Sequence, residues 1–385
     1  MGQLRRFRRC PLSREEGRFA ADCLLAIPVA ERSEKAREFF LDDPEMVLPL
    51  LSVLEERKDG SPSSVREDAE FLFRFLEKET RGPEDGGLFL FDEREYLMGE
   101  SARIAATTCR YLSLRDEARR WIDRSEAAFR RTLNSAPHLS RVAYQRLALY
   151  TEERRFDEVL ELLPGLVESF EREEMPEDAL KCRFLEGAVL IETNQLTEAV
   201  AVFTAICEKA AALRSEKLVA TASYNLVQVY ADLGQAEEAM AKARETVPLL
   251  QRLGDRIGLA KLQWGIGDML RIEGERARQI GDDRGQLSLG SAIESYRVAQ
   301  KEFRDLGMQA DVAALHLVIA DLLLDVGQDR QARWEIQAAL PVIEEYGLVP
   351  EGVAALSLLR ESLNNHRINR QALRDLHGYF PLESG

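Results

Sequence analysis

The chain has 385 residues, 45% of them hydrophobic, with a formal net charge of −15 and a pI near 5.0. That is enough apolar material for a large core, while the acidic balance argues against a nucleic-acid or anionic-membrane binder, whose phosphate affinity rests on clustered Lys and Arg. The five cysteines, Cys10, Cys23, Cys109, Cys182 and Cys207, form no CxxC pair and suit free thiols in a reducing cytoplasm, the expected location.

The chain opens on "MGQLRRFRRC", read as a solvated basic tail, and no run approaches the roughly 18 apolar residues of a membrane span. Helical periodicity predicts helices over 13–27, 30–41, 45–57 and 65–79, joined by the turn-rich "ERKDGSPSSVRED" and "KETRGPEDGG". "GLFLFDE" is the only plausible strand and is too isolated to found a sheet. Residues 1–97 thus read as a helical cap or as degenerate repeats.

From about residue 98 a repeat takes over. In "YNLVQVYADLGQAEEAMAKA", Leu226, Val229, Tyr230 and Leu233 form an apolar stripe, Gly234 and Gln235 break the helix, and Ala239 and Ala243 follow where a second helix would touch the first. Small side chains there let two antiparallel helices approach closely. The same site recurs at forty-residue intervals, at Val159, Ala199 and Ala239, with Ala118 forty-one before Val159 and Ala332 forty before Ala372. Between Ala239 and Ala332 lies one further unit, with Ala292 at its small-residue site, 53 residues after Ala239. The surplus of 13 places an insertion near 275–287, between the helices of that unit. Its Gly, Asp and Arg content predicts a mobile excursion that adds no core, part of it extending the flanking helices, so that deleting 276–286 would leave melting nearly unchanged. About seven helix pairs account for 98–380, with 381–385 as a tail.

The pattern resembles the tetratricopeptide repeat, in the longer version of about 40 residues seen in bacterial signal-transducing regulators. "YNLVQVYADLGQAEEA", "RLGDRIGLAKLQWGIGDMLRIEGE" and "LGMQADVAALHLVIADLLLDVGQDRQA" carry it; the units at Val159 and Ala372 depart from it, with Arg154 and Arg367 at the glycine position. The resemblance implies an all-α, right-handed superhelical solenoid of antiparallel helix pairs, the first helix of each pair lining a concave groove. It also implies the groove residues: Arg103, Thr107 and Arg110, then Arg141 and Tyr144, Lys181 and Phe184, Tyr224 and Gln228, Lys261, Trp264, Asp268 and Arg271, and finally Leu317 and Asp321. The set is rich in basic and aromatic residues on an acidic protein.

Chemistry-bearing motifs are missing. No HExxH, P-loop, nucleophile elbow or dinucleotide glycine pattern occurs, and His138, His316, His366 and His377 stand at no metal-ligand spacing from a cysteine. A metal shared by His366 and His377 is a weak alternative to ordinary packed histidines, and "GDDRG" reads as a solvated loop. No cofactor, metal or catalytic residue is expected. The leading expectation is a non-enzymatic scaffold that binds a polypeptide segment, acidic around one or two large hydrophobic residues, with no direct nucleic-acid contact. A regulatory sensor of a peptide or small molecule, with its output in a partner protein, is the alternative.

Overall fold

A computed structural model describes residues 14–28, 32, 35–36, 47–79, 89–345, 350–364 and 368–379. The described residues form seventeen helices and no strand. They run α1 Arg14–Leu25, α2 Val47–Arg57, α3 Pro62–Lys78, α4 Phe91–Tyr111, α5 Arg115–Phe129, α6 Ala136–Glu152, α7 Phe156–Arg172, α8 Pro176–Glu192 and α9 Leu196–Ala212. Then follow α10 Glu216–Asp232, α11 Ala236–Leu253, α12 Arg256–Gln279, α13 Arg284–Leu306, α14 Gln309–Asp325, α15 Asp329–Glu345, α16 Pro350–Asn364 and α17 Arg370–Tyr379. Of the helix expected over 30–41, residues 32, 35 and 36 are described and helical; the basic tail, Cys10, His366 and 381–385 lie outside the described residues. The expected strand is corrected: Phe91 to Glu93 open α4, because the apolar run continues into a helical stripe rather than finding a partner strand.

Two compact units emerge: Met1–Cys109 with Asp116–Val142, and Arg110–Arg115 with Ala143–Gly385. The boundary expected near 97 falls inside α4, and most of the first repeat pair belongs to the first unit. There Leu50, Leu54, Leu72, Leu76 and Leu97 are fully buried, and Phe73 meets Trp121 edge-on at 5.2 Å.

The second unit is a repeat array, and its turns explain its regularity. Left-handed backbone recurs at Arg154, Glu174, Asn194, Arg214, Gly234 and Gly254, every twenty residues, and again at Gly307 and Gly327. Each such residue lets the chain reverse while the next amide satisfies a carbonyl of the ending helix: Gln235 N–H donates to Tyr230 O at 2.8 Å, and Arg155 N–H to Tyr150 O at 2.9 Å. Arg154 therefore does the work of a glycine, at the steric cost that left-handed backbone imposes on a side chain.

Small residues at the helix contacts trade volume across each pair. A Cβ on Gly187 would lie 2.5 Å from the Phe203 ring, and one on Gly267 2.6 Å from the Tyr296 ring. One period after Gly187 and Phe203 stand Val227 and Ala243, in one core cluster with Ala239: the volume has moved to the other helix. Ala243 is small because Val227 already fills the gap.

The 13-residue surplus is helix. Where α9 and α10 have 17 residues each, α12 has 24 and α13 has 23, so the extra seven and six residues absorb it. The extension is also packed, contrary to a coreless excursion. A Cβ on Gly274 would stand 2.8 Å from Leu289, itself fully buried, and one on Gly285 would stand 2.7 Å from Gly274 O. Deleting 276–286 would strip this contact and should lower the melting temperature. Gly274→Val should lower the melting temperature through about 1–3 kcal/mol of overpacking. Gly290→Ala, whose Cβ meets open space in the middle of α13, should raise it slightly through helix propensity. Equal melting for the two variants would show that the extension does not pack.

Candidate functional site

The forty-residue period sets equivalent positions of consecutive first helices side by side, so polar residues there meet across the repeat. In the second unit, Gln228 of α10 and Asp268 of α12 are one period apart, and Gln228 Nε2 donates to Asp268 Oδ2 at 3.1 Å and to Asp232 Oδ1 at 3.2 Å. The Tyr296 hydroxyl, from α13, donates to Asp268 Oδ1 at 2.6 Å. Burial raises the Asp268 carboxyl, against the opposing pull of Arg271, Tyr296 and Gln228. Burial, reinforced by the Asp268 charge, pushes Asp232 up to about 6. Tyr224 and Trp264 flank this network, both half-buried, with the Trp264 ring edge-on to Phe303 at 6.1 Å.

The expected groove residues divide between the two units. In the first, Arg103 donates to Glu100 at 2.8 Å and to Glu55 at 3.1 Å and is 13% exposed. Burial opposes the Glu100 charge, but Arg103 and His138 prevail and hold that carboxyl down to about 2. Thr107 is buried, and Arg141 is half-buried. In the second unit, Arg110 binds Glu152 at 2.5 Å and Gln145 at 2.9 Å, Lys181 binds Asp178 at 2.7 Å, and Arg271 binds Glu275 at 3.1 Å. Lys261 faces the buried Asp311 electrostatically. Tyr144 is half-buried, and burial pushes its phenol up to about 12.

Two corrections follow. Phe184 is 4% exposed, with its ring 6.1 Å from Phe203 in the helix–helix core, Leu317 is 1% exposed, and Thr107 and Asp268 are buried as well, so none of the four stands open on a groove. The expected basic potential is also offset, because Arg103, Arg110, Lys181 and Arg271 each hold a carboxylate. Spacing on one helix foretells the short-range pairs, whereas Arg110–Glu152 crosses 42 residues.

Sequence reasoning placed a last hairpin at Ala372 and named Asp268, Arg271, Leu317 and Asp321, but it missed the docking of the last helix that encloses them. Helix α17 packs on α14: Arg370 donates to Asp321 at 2.5 Å and to Asp325 at 2.6 Å, and Arg374 to Asp321 at 3.0 Å, while Leu373 and Leu376 are buried. Beneath α17 lies a cavity of about 390 Å³, walled by Asp268, Arg271 and Glu275 of α12 and by Leu317, Val318 and Asp321 of α14. Leu373, Arg374 and His377 of α17 complete it. His377 Nε2 is buried without a hydrogen-bond partner, and burial with the nearby Arg271 charge lowers the ring to about 4, so it is neutral at pH 7. The available signal was the pair Arg370 and Arg374, one helical turn apart and opposite Asp321.

Among the described residues no three His, Cys, Asp or Glu side chains group as metal ligands, and no helix is long and apolar enough to cross a membrane. Burial pushes the thiols of Cys109 and Cys182 up to about 12, which leaves them unreactive at neutral pH.

No protein-family model matches the chain, and no curated protein matches it. Its fold is that of an all-helical repeat solenoid of the tetratricopeptide-like kind. A solved structure that shares it is the crystal structure of a Rap protein complexed with competence and sporulation factor. The two align at a TM-score of 0.52 and 12% sequence identity, covering 86% of this chain and 99% of that chain. At this identity the likeness speaks for the fold alone.

Proposed function

We propose that this protein is a non-catalytic regulatory scaffold, akin to the bacterial signal-transducing regulators with long repeats, that binds a polypeptide segment along the first helices of its second unit. The observation that carries this reading is the Gln228–Asp268–Tyr296 network with Tyr224 and Trp264 beside it: polar groups and large aromatic rings gathered where first helices adjoin. Core packing alone would favour apolar side chains in such places. The Rap protein's complex with a factor supports a binding role for this architecture.

The partner's chemistry follows from the pairs. The basic residues are largely engaged with carboxylates, so apolar anchoring on Tyr144, Tyr224 and Trp264 sets the affinity, and acidic residues of the partner tune the association rate by competing for the basic side chains of the second unit. The cavity under α17 favours a second reading, a sensor whose output lies in a partner protein.

Trp264→Ala should weaken capture of a co-purifying polypeptide by roughly 2 kcal/mol, and Lys261→Ala by less and mainly at low salt. Affinity measured for both variants at two ionic strengths checks this, with melting curves alongside because Trp264 also packs on Phe303. A partner indifferent to both changes but lost on substituting the exposed Trp334 of α15 would place binding on the second helices instead.

A further inference from the structure

The cavity under α17 has an imbalance of hydrogen-bonding capacity. Its carboxylates are satisfied: Asp268 accepts from Tyr296 and Gln228, Asp321 from Arg370 and Arg374, and Glu275 from Arg271. Its guanidiniums keep N–H groups to spare for a ligand, Arg374 on a side chain that is 53% exposed. Each offers five N–H groups, yet among the described residues Arg374 is seen to donate through Nε alone, to Asp321. Arg271 spends Nη1 on a half-buried i,i+4 pair with Glu275 and otherwise interacts with Tyr296. Asp321 would keep Arg370 if Arg374 turned away, so Arg374 can be recruited without stranding a buried charge. His377, whose Nε2 is buried and unpartnered, also lines the cavity, and Leu317, Val318 and Leu373 supply an apolar wall. A volume of about 390 Å³ lies within the range of small-molecule sites, roughly 300–1,000 Å³.

We propose that this cavity binds a small carboxylic acid with an apolar body, its carboxylate between Arg271 and Arg374 and its body on Leu317, Val318 and Leu373. The surplus donors select an anion, and a planar guanidinium matches a carboxylate in two hydrogen bonds. Such a ligand touches α12, α14 and α17 at once, so its binding fastens the last helix to the array. The site is separate from the aromatic anchors of the polypeptide reading, since Trp264 is not in its wall.

The test uses the full chain and three probes observed by saturation-transfer NMR: 3-phenylpropanoate, its uncharged amide 3-phenylpropanamide, and N-acetyl-L-leucine as the mimic of a peptide's last residue. The propanoate should bind at least tenfold more tightly than the amide, and Arg374→Ala should abolish the difference. Helical content and melting should stay at the parent values in that variant, because Arg370 still holds Asp321. Val318→Phe, which fills the cavity and leaves both guanidiniums in place, should also remove binding. Equal binding of acid and amide, or binding indifferent to Arg374→Ala and Val318→Phe, overturns the proposal. N-acetyl-L-leucine binding tenfold more tightly than the propanoate overturns the small-acid source in favour of a peptide terminus. Each of these failures leaves the Trp264 test of the polypeptide reading standing.

Discussion

Ala239→Arg should collapse the middle of the repeat array. Ala239 is fully buried between α11 and its neighbours, in a hydrophobic cluster with Val227, Leu250 and Leu262. An uncompensated buried charge costs about 3–5 kcal/mol, and the added volume in a close helix contact costs about 1–3 kcal/mol more. Repeat units draw much of their stability from their interfaces, so the damage spreads to the pairs on either side. Circular dichroism should show a melting temperature lowered by on the order of 10 °C or more. A variant melting with the parent would mean that Ala239 is not at the contact.

Stability should rise as the pH is lowered from about 8 to 5, and Asp311→Asn should remove much of that rise. Asp311 lies in the first turn of α14 with Oδ2 buried and unpartnered. Burial pushes its carboxyl up to about 7, with Lys261 pulling the other way, from an ordinary value of 3.8. A raised acid pKa works against the fold at high pH: the folded chain pays to hold the charge that the unfolded chain carries freely. Between the two values the folded state binds a proton that the unfolded state lacks, so stability grows as the pH falls. The gain is of order 2–4 kcal/mol at full development. Asp232, raised to about 6, acts in the same direction, whereas Glu100, held at about 2, destabilises only as the pH falls below the ordinary glutamate range. Urea melts of parent and Asp311→Asn at pH 8 and pH 5 separate the contributions. Identical pH dependence in the two proteins would show that Asp311 is not the buried group responsible.

The fold was legible because its determinants are local and periodic. A break residue and a small residue forty positions apart record a turn and a helix contact, and both survive where Arg154 replaces the glycine, since the turn geometry tolerates a side chain. The surplus between Ala239 and Ala292 was visible as arithmetic, but its conversion into longer helices depends on the Gly274–Gly285 approach, which only the paired helices reveal. Charge pairing was legible least. Arg110 with Glu152, and Arg370 with Asp321, join residues 42 and 49 positions apart, beyond any helical spacing. For that reason an apparently basic face proved largely neutralised. Phe184 shows the remaining weakness: a register read from resemblance turns a residue outward, whereas its ring faces Phe203.

The twenty-residue rhythm of the turns also governs how the chain acquires its structure. Successive helices pack on their immediate neighbours, so the entropy lost in closing loops is small at every step, and ordering can begin at any pair and spread in both directions. The extended α12–α13 hairpin, with the longest shared interface, is the natural seed. A chain emerging from the ribosome can then condense one hairpin at a time, each new pair sheltering the apolar edge left by the last. The docking of α17 on α14 skips over two helices and is held by guanidinium–carboxylate pairs at its rim, which makes it the step suited to come last and to be undone first.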